Sequence, residues 1–312
     1  MTQAALIGKP AMIGKMTRTT ESVSIVTRTC NRPALLARCF EHVLAAAPKN
    51  AEWIIVNDSV DEEAASRLDE QVEGFLRQAP FRISVLDLRG GHRTRALNAG
   101  FEAAEAAYLH ILDDDDTVKP EFYRETTGFL DRAENASWGA VAVRCERVDE
   151  VSENGIYVEK RRRLHYPELS AISLAGMAAT MMTPPCSLLF RRALTSDMRF
   201  DEGFVVGEDH DFLLRFLLKY DIAMLPQVLS AYHQRIDGEN EDANSSISRN
   251  HEVEATRFRN ALLRRDICEG RIGLGWLVTM ADMNRGSMRL NQILSRVYRI
   301  GLINWLFQRF RR

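Results

Sequence analysis

The sequence has few cysteines, and no two of them stand in the CxxC spacing of a metal or redox site. The five cysteines are an odd number, scattered from Cys30 to Cys268, which argues against a disulfide framework and a structural zinc site and favours a reducing compartment. No segment reaches the roughly 18 uninterrupted apolar residues that a membrane-spanning helix needs. The first 20 residues lack the long apolar core of a secretory signal. These absences predict a cytoplasmic protein in which residues 1–20 form an N-terminal extension.

A dominant charge of one sign is also missing. The formal net charge is −2 over 312 residues, so the chain has no overall basic field for nucleic acid, and we expect no nucleic-acid partner. Charge is nevertheless uneven, because the segment from Met283 to Arg312 holds seven arginines and no acidic residue. The length allows one large α/β domain with an appendage, or two modest domains.

The first 118 residues alternate between short β-branched runs and segments with helical spacing of apolar residues. The pattern predicts strands at 22–29, 52–58, 81–88 and 107–116, with helices between them. Such alternation is typical of a parallel, doubly wound α/β sheet with helices on both faces. Ligands bind such sheets beyond the carboxyl ends of the strands, where Thr29, Asp58, Arg89 and an acidic run all fall.

The second half is less regular. We predict strands at 138–148 and 223–235, a strand entering a turn at 184–194, and a helix at 207–220 whose first turn is acidic. Residues 160–170 are interpreted as an exposed basic loop. Residues 237–248 have the composition of a linker, and the remaining residues are predicted to be a helical appendage.

The acidic run stands in "HILDDDDTVKP", residues 110–120. Four adjacent carboxylates repel one another unless positive charge lies among them. Removing one of these charges should therefore stabilise the ligand-free protein. A solvated turn is the ordinary explanation of such a run. The run also follows a buried strand on the ligand side of the sheet, where oxygen ligands suit Mn²⁺ or Mg²⁺ bridged to phosphates.

Four segments, in order, resemble the inverting GT-A glycosyltransferases of family 2. They are "SIVTRTCNRPALLARC", "WIIVNDSVDEE", "LNAGFEAAEAAYLHILDDDDTVKPEF" and "FDEGFVVGEDHDFLLR". Each motif alone is of moderate specificity, and the ordered set is strong. The resemblance covers roughly Ser22 to Arg235. It implies a GT-A type, mostly parallel sheet followed by the C-terminal helical appendage.

The resemblance also implies roles for individual residues. The third segment matches the family's D-x-D motif, which holds the divalent ion and the nucleotide sugar, and the fourth matches its E-D motif, which supplies the base that deprotonates the acceptor. The implied catalytic residues are Asp209 and Glu208. The implied metal ligands are Asp113, Asp115, Asp116 and His233. The implied donor-binding residues are Thr29, Arg32, Asp58, Arg95, Asn98, Asp113 and Arg235.

Two departures from the family pattern concern charge. The first motif usually has a proline where this chain has Arg28, and the asparagine helix usually carries an arginine where this chain has Leu97. Arg93 or Arg95 is then expected to supply the missing charge. The implied domains are a nucleotide-sugar-binding half at 21–118, an acceptor-binding half at 119–236, and a linker with helices at 237–312.

These motifs lead to the expectation of a metal-dependent inverting glycosyltransferase. It would move sugar from a nucleotide-diphosphate sugar to a glycan, lipid-linked or other hydroxyl acceptor, in bacterial-type surface glycan or glycoconjugate assembly. A nucleotidyltransferase that makes sugar nucleotides would share the sheet, although "TRTCNRP" lacks the glycine-rich phosphate loop of that class. A non-catalytic, membrane-associated scaffold that binds nucleotide sugars is the third alternative.

The C-terminal segment 288–312 has the pattern of a basic amphipathic helix with interfacial aromatic residues. Two interpretations of this helix stay open. It anchors the protein peripherally at the inner face of the membrane through its arginines, or it packs on its own domain or on a second subunit of a homo-oligomer.

Overall fold

The computed structural model describes residues 23–153, 156–204, 206–236, 251–270 and 272–284. The predicted N-terminal extension, the linker at 237–248 and the basic helix at 288–312 lie outside these residues. The described part forms a twisted sheet whose strands follow the order β3-β2-β1-β4-β8-β6-β9-β5, with β7 added to β6.

The first half of the sheet is wholly parallel. It consists of β1 (Val23–Thr29), β2 (Glu52–Asn57), β3 (Arg82–Asp87) and β4 (Tyr108–Ile111), connected by α1 (Pro33–Ala46), α2 (Glu62–Leu76) and α3 (Arg93–Ala103). All six residues of β2 are buried, as expected for a strand covered on both faces. Pro33 opens α1 and the Asp61 side chain caps α2. The predicted order of elements is confirmed here.

The second half of the sheet is mixed. It contains β5 (Thr117–Val118), α4 (Phe122–Leu130), β6 (Trp138–Glu153), β7 (Ile156–Leu164), α5 (Leu174–Ala179), β8 (Leu188–Arg191), α6 (Glu208–Leu217) and β9 (Asp221–Arg235). Strand β8 runs antiparallel to both β4 and β6, whereas β6 and β9 are parallel. The α/β doubly wound fold class is confirmed, and the parallel pattern predicted for the sheet holds most fully across β3-β2-β1-β4.

The predicted basic loop at 160–170 is partly wrong, because its first residues belong to β7. Arg162 and Arg163 reach across to Glu146 and Asp149 on β6, at 2.9 and 2.6 Å. This strand is mostly exposed, so it lacks the apolar alternation that identifies a half-buried strand. Cross-strand ion pairs, rather than burial of apolar side chains, accompany its pairing.

Two apolar cores lie on the two faces of the sheet. One joins α1, α2 and α4, and the other joins α3, α5 and α6. Helix α7 (His251–Cys268) and a further helix, α8 (274–284), pack on the α6 face. Phe258, Leu262, Leu274 and Val278 are buried in that second core. The described part of the helical appendage therefore packs on its own domain.

Gly100 of α3 gives a test of this packing. A Cβ at this position would lie 2.3 Å from Val26 Cγ1 and 3.2 Å from Val56 Cγ2, so α3 can approach β1 and β2 only with glycine here. We expect Gly100→Ala to lower the free energy of unfolding by about 1–3 kcal/mol through overpacking. The measurement is urea denaturation.

Gly128 of α4 is the matched control, because nothing lies within 4 Å of a Cβ added there. Gly128→Ala should raise the free energy of unfolding by up to about 1 kcal/mol, since alanine favours the helix. Equal effects of the two substitutions would contradict the close approach of α3 to the sheet.

Candidate active site

The carboxyl ends of the parallel strands open into a cleft of about 570 Å³. Its walls come from the ends of β1, β2 and β4, from the start of α6, from the end of β9, and from α7 and α8. Nine of the site residues inferred from the sequence line this cleft: Thr29, Arg32, Asp58, Asp113, Asp115, Asp116, Glu208, Asp209 and Arg235.

The acidic run is neutralised in large part by arginines from two strands and one helix start. Arg28 on β1 binds both oxygens of Asp113, at 2.9 and 2.8 Å. Arg32 contacts Asp114 at 2.5 Å. Asp115 is held through Oδ2 by Arg32 at 3.3 Å and by Arg235 at 2.9 Å. The positive charge that a run of carboxylates requires is thus supplied by the chain itself.

Three carboxylates of the run, those of Asp114, Asp115 and Asp116, differ in proton affinity. Asp114 is fully buried, accepts a hydrogen bond from the Thr29 hydroxyl at 2.7 Å, and burial raises its pKa to about 6 although Arg32 lowers it. Burial also raises the pKa of Asp115, but Arg32 and Arg235 outweigh burial and hold it below its usual range. Burial, together with Asp115 and Asp113, raises the pKa of Asp116 well above its usual range. Of these three, Asp115 is the one most firmly held ionised.

This arrangement changes one expectation from the sequence. Removing a charge from the run was expected to relieve repulsion and stabilise the protein. Arg235 has only 1% of its side chain exposed and pairs with Asp115. Loss of that carboxylate would remove one ionic partner of a buried cation, which costs stability. We therefore expect substitution of Asp115 to destabilise the protein.

His233 is engaged within a buried network. Its Nε2 lies 3.0 Å from Thr117 Oγ1 and its Nδ1 lies 3.1 Å from Glu150 Oε2. Arg38 also binds Glu150, at 2.8 Å, and donates to the Asp115 carbonyl at 2.6 Å. Both ring nitrogens have partners within the chain, and a ligand role for His233 stays a prediction. It acts on the run through its backbone N–H, which donates to Asp116 at 3.0 Å.

Two of the inferred donor-binding residues lie away from the cleft. The Asn98 amide exchanges hydrogen bonds with the Phe200 backbone, at 2.8 and 3.0 Å, and thereby ties α3 to the segment before α6. Arg95 is exposed and lies 3.5 Å from Glu202. Arg93, the other arginine considered for the missing charge, lines the cleft. Asn98 and Arg95 therefore do not line this cleft, and their donor-binding roles stay predictions.

Asp58 follows β2 and lies on the floor of the cleft. Its backbone N–H donates to the Thr29 carbonyl at 2.9 Å, which fixes the ends of β1 and β2 side by side. Its side chain is buried, and Oδ1 has no hydrogen-bond partner among the residues that the structure describes. A buried carboxylate oxygen without a partner is costly, so this atom is suited to accept a hydrogen bond from a ligand.

The start of α6 carries the inferred catalytic pair. Glu208 has 2% of its side chain exposed and contacts Arg93 at 2.6 Å and Arg28 at 3.5 Å. Burial raises its pKa, as does Asp209, while the two arginines oppose this shift. Asp209 is only partly buried and accepts the His210 N–H at 2.8 Å. Of the pair, Asp209 is the carboxylate that the cleft leaves accessible.

Asp211, two residues further along α6, has a different environment. It is fully buried and binds Arg215 at 2.7 Å, with Arg265 of α7 at 3.6 Å. It does not line the cleft. Asp211 is thus a packing residue that joins α6 to α7.

Helices α7 and α8 complete the cleft, a contribution that no motif predicted. Gly207 has a positive φ of 88° just before the catalytic pair, and a Cβ there would lie 2.9 Å from the Phe258 ring. Phe258 also packs edge-on against Phe204, with centroids 4.9 Å apart. Ala255, Arg259, Val278 and Asp282 are further cleft residues of these helices. The sequence signal for this contribution was the helical spacing of the apolar residues Phe258 and Leu262.

With this geometry in view, similarity to known proteins becomes informative. The sequence profile of glycosyl transferase family 2 matches residues 24–196, more than half of the chain. The chain belongs to glycosyl transferase family 2. The resemblance inferred from its four motifs is confirmed.

Individual relatives are more distant. Glycosyltransferase GlyG of Streptococcus pneumoniae is 32% identical over 100 residues, which cover 32% of this chain and 32% of GlyG. Succinoglycan biosynthesis protein ExoO of Rhizobium meliloti is 27% identical over 204 residues, covering 61% of this chain and 54% of ExoO. The chain thus spans about a third of the one relative and about half of the other.

Among solved structures, S. aureus TarS 1–349 aligns with a TM-score of 0.59 at 18% identity, over 85% of this chain and 71% of that one. The same TarS fragment has been solved in complex with UDP-GlcNAc. At this identity the likeness concerns the fold, which is the GT-A type expected from the sequence. Within the described ranges, no helix is long and apolar enough to cross a lipid bilayer.

The contrast between Asp209 and Asp211 yields a prediction about stability. We expect Asp211→Asn to lower the free energy of unfolding by about 1–3 kcal/mol, because Arg215 and Arg265 lose a buried partner. Asp209→Asn should cost at most about 1 kcal/mol, the usual contribution of a carboxylate in a first helical turn. Chemical denaturation of both variants measures this, and a larger loss for Asp209→Asn would contradict the packing role of Asp211.

Proposed function

We propose that the chain is an inverting glycosyltransferase that transfers a sugar from a nucleotide-diphosphate sugar to a hydroxyl acceptor during glycan assembly. The observation that carries this proposal is the convergence of two sets of residues on one cleft. The acidic run with its arginines lies at the end of β4, and the accessible carboxylate of Asp209 lies at the start of α6. Membership of family 2 and the similarity to a succinoglycan biosynthesis protein support it.

The donor would bind along the carboxyl ends of β1 and β2. Asp58, with its unpartnered Oδ1, is suited to accept a hydrogen bond from the nucleoside, beside Thr29. Arg28, Arg32, Arg93 and Arg235 place positive charge where a diphosphate would lie. Preorganised arginines of this kind stabilise the charge that develops on a leaving diphosphate.

A divalent cation fits this cleft if it arrives with the donor. In the described part of the chain, no three His, Cys, Asp or Glu side chains are grouped so that they could hold a metal ion alone. Mg²⁺ and Mn²⁺ are commonly bound by one or two carboxylates plus substrate phosphates, and Asp113 and Asp115 supply hard oxygen donors at the cleft wall. Held there, a cation would act as a Lewis acid toward the leaving diphosphate.

The proposed chemistry needs one base and one displacement. The acceptor hydroxyl oxygen bonds to the anomeric carbon, the bond from that carbon to the diphosphate oxygen breaks, and the nucleoside diphosphate leaves. Asp209 takes the hydroxyl proton, because it is the accessible member of the pair. Glu208 is buried between Arg93 and Arg28 and instead positions the start of α6. A single displacement inverts the anomeric centre.

The central experiment is a screen of nucleotide-sugar hydrolysis with Mn²⁺ or Mg²⁺, joined to calorimetric titration of the same nucleotides. Release of nucleoside diphosphate from one donor class supports glycosyl transfer. Formation of a sugar nucleotide from sugar phosphate and nucleoside triphosphate would instead identify a nucleotidyltransferase. Binding without turnover, with any acceptor tried, would identify a scaffold.

Asp209→Asn tests the base. We expect turnover to fall by roughly 10²–10⁴-fold, the usual contribution of a positioned base, with little change in donor affinity, because the base faces the acceptor. Asp211→Asn, normalised for folded protein, is the control and should retain more activity. Unchanged turnover in Asp209→Asn would rule out this mechanism.

Asp115→Asn tests the cation site. The variant should lose the Mn²⁺-dependent part of donor binding, because a neutral amide is a poor ligand for a hard cation. Binding measured in a chelator should persist, since Arg32 and Arg235 stay available to the diphosphate. Asp197→Asn makes the same charge change at an exposed site beside Lys219. Wild-type Mn²⁺ dependence in Asp115→Asn would place the cation elsewhere.

A further inference from the structure

Arg28 connects the two functional halves of the cleft. It lies near the end of β1, with 12% of its side chain exposed. Its Nε and Nη2 bind the two oxygens of Asp113, and its Nη1 lies 3.5 Å from Glu208 Oε1. One guanidinium therefore spans the acidic run after β4 and the catalytic pair at the start of α6. The family pattern inferred from the sequence usually has a proline at this position, which could not make this contact.

The contact conflicts with the proposed use of Asp113 as a cation ligand. Both oxygens of Asp113 are taken by the fork of Arg28, a planar arrangement that matches a carboxylate closely. Asp115 differs, because Arg32 and Arg235 both approach its Oδ2 and leave Oδ1 outside these ion pairs. To bind the cation, Asp113 has to give up an arginine contact whichever of its oxygens is used, whereas Asp115 could use Oδ1 and keep both ion pairs.

Charge makes the conflict sharper. A divalent cation bound by Asp113 would lie within a few ångströms of a guanidinium that is always protonated. Two cations at this separation repel each other strongly at the effective dielectric of a protein surface. Arg28 and a cation therefore cannot both occupy Asp113 at low cost.

Arg28 has an alternative partner close by. Its Nη1 is buried and makes no hydrogen bond within the described part of the chain. Glu208 lies beside it with a carboxylate that Arg93 already contacts. Release of Asp113 would let the Arg28 fork turn toward Glu208 or toward an incoming diphosphate, so the guanidinium would keep an anionic partner throughout.

We propose that Arg28 is a positioning residue that competes with the divalent cation for Asp113, and so holds the donor-free cleft in a form with low cation affinity. The proposal rests on the cation-dependent function proposed above. Arg28 must release Asp113 before that carboxylate can accept a cation, and the released guanidinium becomes available to the leaving diphosphate. Cation binding and donor binding are thereby coupled through one side chain.

The test is a titration of the full chain with Mn²⁺ alone at fixed ionic strength. The electron paramagnetic resonance signal of free Mn²⁺ measures the affinity. Arg28→Met keeps most of the stem and removes the charge, and we expect its Mn²⁺ affinity to exceed the wild-type value by about tenfold or more, the usual scale of a charge-assisted hydrogen-bonded pair. Arg28→Lys keeps the charge without the fork and should fall between the two. Damage to the fold would lower the affinity, so a gain is specific.

Two controls separate competition from general electrostatics. Arg38→Met removes a charge close to the run, since Arg38 contacts the Asp115 carbonyl but not the Asp113 side chain. Arg95→Met removes an exposed charge outside the cleft. Neither should reproduce the gain of Arg28→Met. An equal gain in Arg38→Met would overturn the proposal, as would an Mn²⁺ affinity of Arg28→Met that is no greater than that of the wild type.

Failure of the proposed role of Arg28 can be distinguished from failure of the proposed glycosyl transfer. Nucleotide-sugar hydrolysis by the wild type, with no gain of Mn²⁺ affinity in Arg28→Met, would leave the function in place and remove the role of Arg28. A gain of affinity without hydrolysis of any donor would keep the competition at Asp113 and remove glycosyl transfer.

Discussion

The charge balance at the end of β4 is the constraint on which the site depends. Four consecutive aspartates can follow a buried strand only because arginines from β1, from the start of α1 and from β9 meet them there. These elements are far apart in sequence, and the sheet order brings β1 beside β4 while β9 pairs with β5 directly behind the run. The fold and the local electrostatics therefore require each other. Without the sheet the arginines would not converge, and without the arginines the buried carboxylates would oppose folding.

Neutralisation also divides the carboxylates by task. Asp114 points inward and is bound by Thr29 and Arg32, which fastens the run to β1. Asp116 accepts the His233 backbone N–H and fastens it to β9. Asp113 and Asp115 line the cleft and have arginine partners. Alternate residues of the run thus serve the fold and the proposed ligand site. The same division recurs on α6, where Asp209 lines the cleft and Asp211 joins helices.

Much of this could be predicted from the sequence, for identifiable reasons. The parallel half of the sheet was predictable because β1, β2 and β4 are buried apolar runs and segments with helical spacing stand between the strands. The acidic run and Asp209 were predictable because motifs keep their residues together in sequence. Strand β7 was missed because exposed ion pairs leave no apolar period. Ligand roles for Asn98 and His233 stay predictions. Their hydrogen bonds within the chain could not be predicted, because the position of each partner depends on tertiary contacts.

The contribution of α7 also depends on tertiary contacts that no local sequence pattern predicts. It bears on how the proposed catalytic carboxylate is held. Gly207 must adopt a left-handed backbone to start α6, and the space above it is filled by the Phe258 ring. That ring also contacts Phe204, so the residues on both sides of the turn before Glu208 and Asp209 pack against one helix. Asp211 and Arg265 add a polar tie between α6 and α7. A carboxylate at the start of a helix is as well positioned as the turn that precedes it. Helix α7 therefore supports the turn before the proposed catalytic carboxylate, although it lies beyond the segment that the family profile matches.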